Sequence, residues 1–406
     1  MSWTATPDAA LKQLRAFQPR AGQNYSAERN YDYGPENRSN ISCLSPWVRY
    51  QLISEECILR ETLACHSLAN AEKFVQEVFW RSYFKGWLEH HPSVWAQYRS
   101  DVNRLIRQLE DKPELQDGYL AASSGHTGID AFDFWARELV TTGYLHNHAR
   151  MWFASIWIFT LRLPWQLGAD FFYRHLLDAD PASNTLSWRW VAGLHTKGKT
   201  YLARASNIEK YTGGRFAPAG LAEVASPVAE DEIHSLKPIE TRPGCDPSGP
   251  IGLLVTEENC TPEDLAGQVE DPRSILGIRT NTDRSPLETS ALANAFASDA
   301  LTGALTRAER RFGAPASLAV TEDWTTALVE WAEGNRIQTI VTQYLPVGPT
   351  RDRINQARPV LQNSGIRLLE IPRPYDVACW PNATKGFFKL KARIPDLIQT
   401  LGLARA

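Results

Sequence analysis

Apolar side chains follow two different spacings along the chain. In the first half they recur every three to five residues, which is the period of an amphipathic helix. One such series is Ile129, Phe132, Trp135, Leu139 and Tyr144. The apolar run at 151–161 is too short to span a bilayer, so we predict a buried core helix there. Because no alternating run typical of a strand occurs in this half, residues 1–216 are predicted to form an all-helical domain.

After residue 250 the pattern changes to short runs rich in β-branched residues. These predicted strands lie at 251–256, 274–280, 316–321, 337–343 and 366–371. Helical stretches at 288–312 and 323–334 lie between some of them. Strands that alternate with helices predict a parallel sheet. The fold class is therefore α + α/β, an all-helical domain followed by a Rossmann-like parallel-sheet α/β domain at 251–406.

The stretch between the two regions, residues 217–250, contains six prolines together with glycine, serine and acidic residues. This composition is typical of a linker without regular structure. We expect it to run over the surface between the domains.

Composition restricts the class of protein. Hydrophobic residues make up 43% and charged residues 22% of the 406 residues, as in a soluble protein. The net charge of −3 provides no general attraction for nucleic acid, so any such contact needs a local basic patch. Six scattered cysteines without a CxxC pair indicate reduced thiols and no metal site, and we expect a cytoplasmic monomer. The amino terminus lacks an apolar core of signal-peptide length.

The segment at 178–190, DADPASNTLSWRW, has the most distinctive chemistry. Two aspartates two residues apart can reach one polar ligand from the same loop. An asparagine can donate and accept hydrogen bonds, and two tryptophans offer ring surface and easily removed electrons. A flavin needs this combination of polar partners at its edge and an electron path away from it.

This segment resembles the flavin loop of the photolyase and cryptochrome family, whose Asp-x-Asp, Asn and Trp-x-Trp fall on Asp178, Asp180, Asn184, Trp188 and Trp190. Other stretches match in the family's order, over roughly residues 20 to 215. They are SNISCLSPWVR at 39–49, FVQEVFWRSYF at 74–84, the paired helices at 128–152, and Trp165, which lies 23 residues before Trp188.

The resemblance implies an FAD-binding domain, with FAD held between the loop at 39–49 and the loop at 178–190. The implied cofactor contacts are Tyr25, Ser42, Leu44, Ser45, Arg81, Asn147, Arg150, Asp178, Asp180 and Asn184. Asn184 would lie at flavin N5. Trp188 and Trp165 would pass electrons to the flavin. The outermost member of this relay is left open between Trp95 and Tyr119.

The resemblance also implies a DNA lesion site and an activity. The implied lesion contacts are Arg29, Glu77, Trp80, Met151, Trp190, Lys197 and Lys199. Glu77 would act as a neutral carboxyl that hydrogen-bonds a pyrimidine. Asn147 and Met151 match photolyases of cyclobutane dimers rather than of (6-4) lesions. The implied function is light-dependent repair of cyclobutane pyrimidine dimers in UV-damaged DNA by an electron from excited reduced FAD.

Two features lie beside this core. The stretch at 189–215 contains six basic residues, among them Arg189, and a single acidic residue, Glu209. We therefore predict a local surface that binds DNA phosphates. Residues 251–406 resemble the family's antenna domain, which in most members precedes the FAD domain. A second antenna chromophore is therefore an expectation, and its identity is open.

Two alternatives remain. One is a cryptochrome-type blue-light sensor without repair activity, against which Asn184, Glu77 and Met151 count. The other makes the α/β domain the active part, as a nucleotide- or chromophore-binding module. The absence of a GxGxxG motif counts against that second alternative.

Overall fold

The first half of the chain is helical, as its periodicity predicts. The computed structural model describes residues 3–239, 247, 249–279 and 283–404. The helices of this half are α1 Pro7–Phe17, α2 Gln23–Glu28, α3 Ser45–Arg49, α4 Glu55–Cys65, α5 Glu72–His90, α6 Pro92–Asp111, α7 Pro113–Ser124, α8 Asp130–Thr142, α9 Asn147–Ser155, α10 Trp165–His175, α11 Pro181–Val191 and α12 Ala205–Tyr211. In the described residues no helix is both long and apolar enough to cross a membrane.

Helix ends in this half follow local chemistry. The side chains of Thr6, Ser54 and Asp180 accept hydrogen bonds from the first turns of α1, α4 and α11. Such caps satisfy backbone N–H groups that have no partner within the helix. The predicted buried helix at 151–161 is observed as the end of α9, continued by a wider π-helical turn over Ile156–Thr160.

Aromatic side chains fill the helical core. Trp135, Trp152, Trp157 and Trp188 are all buried almost completely. Gly168 in α10 makes part of this packing possible, because a Cβ atom there would lie 2.3 Å from the Trp188 ring. Any larger residue at this position would displace an indole from the core.

The second half forms the predicted parallel sheet. Its strands are β1 Ile251–Thr256, β2 Ser274–Arg279, β3 Ala316–Val320, β4 Thr339–Gln343 and β5 Arg367–Ile371, in the order β3-β2-β1-β4-β5. All neighbouring pairs are parallel. Its helices are α13 Ala291–Phe312, α14 Trp324–Gly334, α15 Pro349–Asn363, α16 Pro374–Cys379, α17 Phe388–Lys391 and α18 Ile394–Thr400. The predicted fold class is confirmed.

Buried hydrophobic clusters contain residues from both halves of the chain. Leu14 and Trp47 belong to the same apolar cluster as Leu253 and Phe296 of the α/β half. The carboxyl-terminal helices α16 to α18 pack on α5 in a further cluster. A Cβ atom on Gly86 of α5 would lie 2.9 Å from the Trp380 backbone, so this contact needs glycine.

The described residues of the predicted linker, 217–239, 247, 249 and 250, lie in no helix or strand, and its residues 240–246 and 248 lie outside the described part. Its backbone is tied to the helical half by hydrogen bonds from Val228 N to Ala192 O and from Lys237 N to His90 O. The predicted boundaries at 216 and 251 stay a prediction.

One buried ion pair joins the halves at the carboxyl ends of β1 and β4. This is the point at which the strand order reverses, where open α/β sheets present a crevice. Arg49 at the end of α3 donates to both carboxylate oxygens of Glu258, at 3.0 and 2.8 Å. The side chains are 1% and 4% exposed. Arg49 Nε also donates to Ala179 O at 2.6 Å, so one side chain joins the sheet to the 178–180 loop.

Replacing Glu258 with glutamine is expected to lower the free energy of unfolding by about 3–5 kcal/mol, because it leaves the Arg49 charge buried without a counter-charge. Urea denaturation measures the change. Glu263→Gln is the matched control, since its pair with Arg307 is 29% and 25% exposed and should contribute at most about 1 kcal/mol. Equal losses in both variants would contradict the assigned role of Arg49.

Candidate flavin site of the helical half

Asp178 is the point at which three predicted cofactor segments meet. Its Oδ2 accepts a hydrogen bond from Ser45 Oγ and another from Arg150 Nη2, the latter at 2.8 Å. Its Oδ1 is buried and has no hydrogen-bond partner among the described residues. A buried acceptor without a partner is costly, so this oxygen is available to a donor on a ligand.

Asp180, two residues further on, is held from another side. It caps α11 by accepting from Ser183 N at 2.8 Å, and Arg81 Nη2 and Lys85 Nζ lie 3.3 and 3.8 Å from its Oδ2. Burial by itself raises the pKa of Asp180, but Arg81, Lys85 and Arg49 outweigh it and hold that pKa well below its usual value. The carboxylate therefore stays ionised inside the protein.

The same cluster of charges continues into the α/β half. Glu55 Oε1 lies 3.3 Å from Arg81 Nε, and its Oε2 accepts from Arg373 Nη2 at 2.8 Å. Burial of Glu55 opposes ionisation, yet Arg373 and Arg81 lower its pKa to about 2. Arg81 is thus oriented by carboxylates from two elements, α4 and the start of α11.

The loop at 39–49, predicted to help hold FAD, has a strained backbone. Cys43 lies in the left-handed region with φ of 52°, which is uncommon for a residue other than glycine. Gln13 Nε2 donates to Ser42 O at 2.8 Å and fixes the loop from α1. Leu44 is buried and directly precedes α3, and Ser45 and Pro46 begin that helix. Strain of this kind occurs at ligand-holding loops.

The remaining cofactor and lesion positions of α2 and α9 differ in accessibility. Tyr25 is buried against Phe17 and Phe74, with ring centroids 5.7 and 5.3 Å away. Asn147 begins α9 and is exposed, and Met151, one turn later, is partly exposed. Tyr25 therefore packs in the protein core, whereas Asn147 and Met151 follow each other along an accessible edge.

Asn184 and Trp188 lie one turn apart on α11. Asn184 Nδ2 donates to Ala169 O of α10 at 2.8 Å, which fixes the orientation of the amide. Trp188 is 2% exposed, and its Nε1 has no hydrogen-bond partner among the described residues. Its ring centroid is 5.1 Å from that of Phe172 and 6.2 Å from that of Trp157.

Aromatic contacts distinguish the two candidates for the outermost member of the predicted electron relay. Trp165 stacks on Tyr98 at 5.8 Å, and Tyr98 lies 5.5 Å from Trp95. Tyr119 contacts Trp157 instead, at 6.1 Å. Of the two outer positions left open by the sequence, Trp95 is the one connected to Trp165, through Tyr98.

Four of the residues predicted to face a lesion, Arg29, Glu77, Trp80 and Trp190, have side-chain partners in the protein. Glu77 forms an ion pair with Arg29, and burial raises its pKa although Arg29 opposes the shift. Trp80 stacks on Phe387 of the carboxyl-terminal region, with centroids 3.8 Å apart and planes at 13°. Trp190 stacks on Tyr201 at 5.6 Å.

The basic stretch at 189–215 is only partly a surface. Lys197 and Lys199 are exposed, as predicted. The inclusion of Arg189 in an exposed basic surface was wrong, because it is 3% exposed and forms a two-pronged pair with Glu230. Its buried charge needs that partner and is not available to phosphates.

The helical half of the chain contains the region that matches a known protein family. Residues 74–220 match the family model described as the FAD binding domain of DNA photolyase. Over this region the chain is similar to the DNA photolyases. The recognition made from the motifs at 39–190 is thereby confirmed, including the expectation of an FAD-binding domain.

The matched relatives are longer proteins. A deoxyribodipyrimidine photo-lyase of Alkalihalophilus pseudofirmus is 28% identical over 49% of this chain and 40% of its own length. That of Synechococcus sp. is 30% identical over 50% of this chain and 42% of its own length. A crystal structure of a class III photolyase from Agrobacterium tumefaciens aligns at 27% identity and a TM-score of 0.42, over 51% of this chain and 43% of that one. The aligned region thus spans less than half the length of these relatives.

Three residues of the site were not assigned a role from the sequence. Arg49 lies within the motif at 39–49. Its position directly after an apolar turn was the signal in the sequence that this arginine could be buried. Tyr98 lies on the apolar face of α6, and only its ring contact with Trp165 reveals it. Phe387 is remote in sequence from Trp80, so no local pattern could pair them.

His195 borders this site and should make stability depend on pH. Its Nε2 shares a hydrogen bond with Tyr83 Oη at 2.9 Å, and burial, with Arg189 and His91 adding to it, lowers the pKa of His195 to about 4. The unfolded chain binds this proton near pH 6.5 (about the reference value). Stability present above that pH is therefore lost as the pH falls toward 4.

His195→Gln is accordingly expected to reduce the loss of unfolding free energy over this window by up to about 3 kcal/mol. Thermal or urea unfolding at a series of pH values measures it. His126→Gln serves as the control because His126 is exposed. An unchanged acid profile in His195→Gln would show that other groups dominate.

Proposed function

We propose that this protein repairs cyclobutane pyrimidine dimers in UV-damaged DNA with light, using FAD held in the helical half. The observation that carries the proposal is the meeting of Ser45, Arg150 and Asp178, from three segments predicted to hold one cofactor. It lies in a chain whose residues 74–220 match the FAD binding domain of DNA photolyase. Relatives named deoxyribodipyrimidine photo-lyase support the reaction class.

The residues present fit an FAD. The unpartnered Oδ1 of Asp178 is an acceptor for a ligand donor, and the Ser45 hydroxyl lies beside it, two residues after the strained Cys43. Arg81 and Arg150 place positive charge around the site, which suits a pyrophosphate. Tyr25, Leu44, Asn147 and the other matched positions would complete the binding set.

A bound FAD would supply the one-electron chemistry, which no protein side chain here provides in the excited state. The chain supplies orientation. Asn184 is fixed by Ala169 and offers a neutral amide, which tolerates a proton on the neighbouring flavin edge. Trp188 lies one turn from Asn184 on α11, and its buried indole is the proposed electron donor.

We propose the relay Trp188, Trp165, Tyr98 and Trp95. Trp165 begins α10, whose Gly168 touches the Trp188 ring one turn later. Tyr98 stacks on Trp165 and meets Trp95, whose Nε1 donates to Asp352 Oδ2 at 2.9 Å. This route leads from the core toward the boundary with the α/β half.

DNA would be bound beside α5. Glu77, Trp80 and Met151 are the proposed lesion contacts on the helical half, together with Arg29 and Trp190. The exposed Lys197 and Lys199 would bind phosphates. A flipped lesion would have to replace some of the present aromatic contacts.

We do not propose a second chromophore at the reversal point of the sheet. Arg49 and the following Tyr50 of the helical half occupy this place, where Arg49 binds Glu258 and Tyr50 O accepts from Cys260 N at 2.8 Å. The same packing argues against a separate nucleotide module in the α/β half. An antenna chromophore at another position in the α/β half is proposed from the family resemblance alone.

A light sensor is the second candidate, and one observation favours it. Trp80 and Trp190, the two ring surfaces offered to a lesion, are each stacked on another aromatic side chain of the protein. A sensor would keep these contacts, whereas a repair enzyme must open at least one of them.

Repair under blue light, with FAD pre-reduced, tests the proposal on cyclobutane and (6-4) substrates side by side. Wild type should split cyclobutane dimers only. Glu77→Ala should repair fewer dimers per absorbed photon, because hydrogen bonds to developing charge contribute about 2–4 kcal/mol in other enzymes. Glu77→Gln should stay close to wild type if the neutral form of Glu77 is the active one.

Flavin released on denaturation must be equal in the wild type and both variants for the comparison to hold. A wild type that binds FAD and repairs neither lesion would remove the proposal in favour of the light sensor. Equal repair by Glu77→Ala at saturating DNA would remove Glu77 from the lesion site.

Trp188→Phe is expected to slow light-driven reduction of oxidised FAD by at least about tenfold while FAD stays bound, since a phenyl ring is much harder to oxidise; a tenfold change corresponds to about 1.4 kcal/mol. Absorbance during illumination with an external reductant measures this rate. Trp165→Phe should act likewise, and Trp157→Phe should not. Trp135→Phe is the control for loss of a buried indole. A large effect of Trp157→Phe would instead assign electron transfer to the route through Trp157 and Tyr119.

A further inference from the structure

The turn at 384–393, here named the basic turn, has an unusual composition for this acidic protein. Its sequence TKGFFKLKAR contains four cations and no acid, whereas the whole chain has a net charge of −3. An aromatic pair, Phe387 and Phe388, stands in the middle. Cations interleaved with an exposed ring are the elements of a nucleic-acid contact.

The basic turn is firmly attached to the helical half. Phe387 stacks on Trp80, and Leu390 is completely buried in the cluster that joins α5 to the carboxyl-terminal helices. Lys391 Nζ lies 3.4 Å from Glu72 Oε1 at the start of α5. The turn therefore has a fixed position next to Trp80, although it belongs to the α/β half of the chain.

Phe388 points the other way and is 81% exposed. Its neighbours Lys385 and Lys389 are exposed as well, and Lys389 Nζ donates to Thr384 Oγ1 at 2.8 Å. Arg393 pairs with Asp396, with both side chains more than half exposed, so that pair is weak and easily exchanged. A ring this exposed adds nothing to the core, and its surroundings suit a polyanion.

A second basic segment lies close to the first. Tyr83 of α5 contacts both Phe387, at 5.7 Å between centroids, and His195, with which it shares a hydrogen bond. His195 is followed by the exposed Lys197 and Lys199. Phe387 of the first segment and His195 next to the second thus both contact Tyr83, one turn along α5 from Trp80.

We propose that the basic turn is a contact for single-stranded nucleic acid, in which Phe388 stacks on an unpaired base while Lys385 and Lys389 bind the adjoining phosphates. This rests on the proposed function for the identity of the polymer as DNA, and extends it by assigning a contact to the α/β half. Stacking on one ring and point charges on phosphate carry no sequence preference. The strand would run from the basic turn past Trp80 toward Lys197.

An anionic lipid surface is the competing partner for a basic turn with one exposed ring. A single phenyl ring buries little apolar area, and membrane attachment of this kind usually needs a whole apolar helix face or a second anchor. The position beside Trp80 and the second basic segment favour a strand with stacked bases.

Fluorescence anisotropy with a short undamaged oligothymidine tests this contact on the full chain. Phe388→Ala should weaken binding by roughly 5- to 100-fold, the range for loss of one base–aromatic stack, without changing the salt dependence. The double variant Lys385→Ala/Lys389→Ala should lower the slope of log affinity against log salt by about 0.7 for each lost phosphate contact. Leu120→Ala and Lys12→Ala, exposed positions on α7 and α1, are the matched controls.

Thermal unfolding of each variant excludes a folding defect, which is not expected for exposed side chains. The proposal is overturned if wild type does not bind the oligothymidine, or if Phe388→Ala and the double variant bind it as wild type does. It is also overturned if these variants lose binding to phosphatidylglycerol vesicles but keep DNA binding. The two proposals can fail separately. If DNA binding depends on Phe388 but the wild type repairs no lesion, the proposed function is contradicted and this nucleic-acid contact is still supported.

Discussion

The pair of Arg49 with Glu258 is the interaction on which the arrangement of the two halves depends. A guanidinium can donate in three directions at once, and here two of its nitrogens bind the carboxylate while the third binds Ala179 O. The 178–180 loop, which carries both aspartates of the candidate site, is thereby attached to the carboxyl end of β1 in the parallel sheet. Because both side chains are almost fully buried, neither can leave without stranding a charge.

Buried charges organise the site more than loop packing does. Asp178, Asp180 and Glu55 are each matched by arginine or lysine from another element, and the depressed pKa values of Asp180 and Glu55 show that attraction exceeds the cost of desolvation. Such pairs set the direction of side chains strictly, since an ion pair in low dielectric tolerates little displacement. Among the described residues, Asp178 Oδ1 is a carboxylate oxygen of this network that has no hydrogen-bond partner, and it marks where a ligand donor would bind.

The α/β half reaches the helical half at two different places. At the reversal point of its sheet it receives Arg49 and Tyr50, and at its carboxyl end it stacks Phe387 on Trp80. The first contact fills a crevice that open sheets commonly offer to ligands. The second brings a basic aromatic turn to the face proposed for DNA. The order of the halves along the chain therefore matters less for function than where their ends pack.

The helical first half, the five strands and the grouping of Asp178, Asp180 and Asn184 followed from sequence alone, because periodicity and short motifs are local. Asp178 was predicted to face a cofactor from its own motif, whereas its partners Ser45 and Arg150 could be placed beside it only through the family resemblance. The contacts of Arg49 with Glu258, Arg373 with Glu55 and Phe387 with Trp80 were decided by the tertiary structure alone. Each joins residues hundreds of positions apart, and no local pattern encodes which buried charge or ring will meet which. The burial of Arg189 belongs to the same class, since a run of basic letters does not reveal that Glu230 covers one of them.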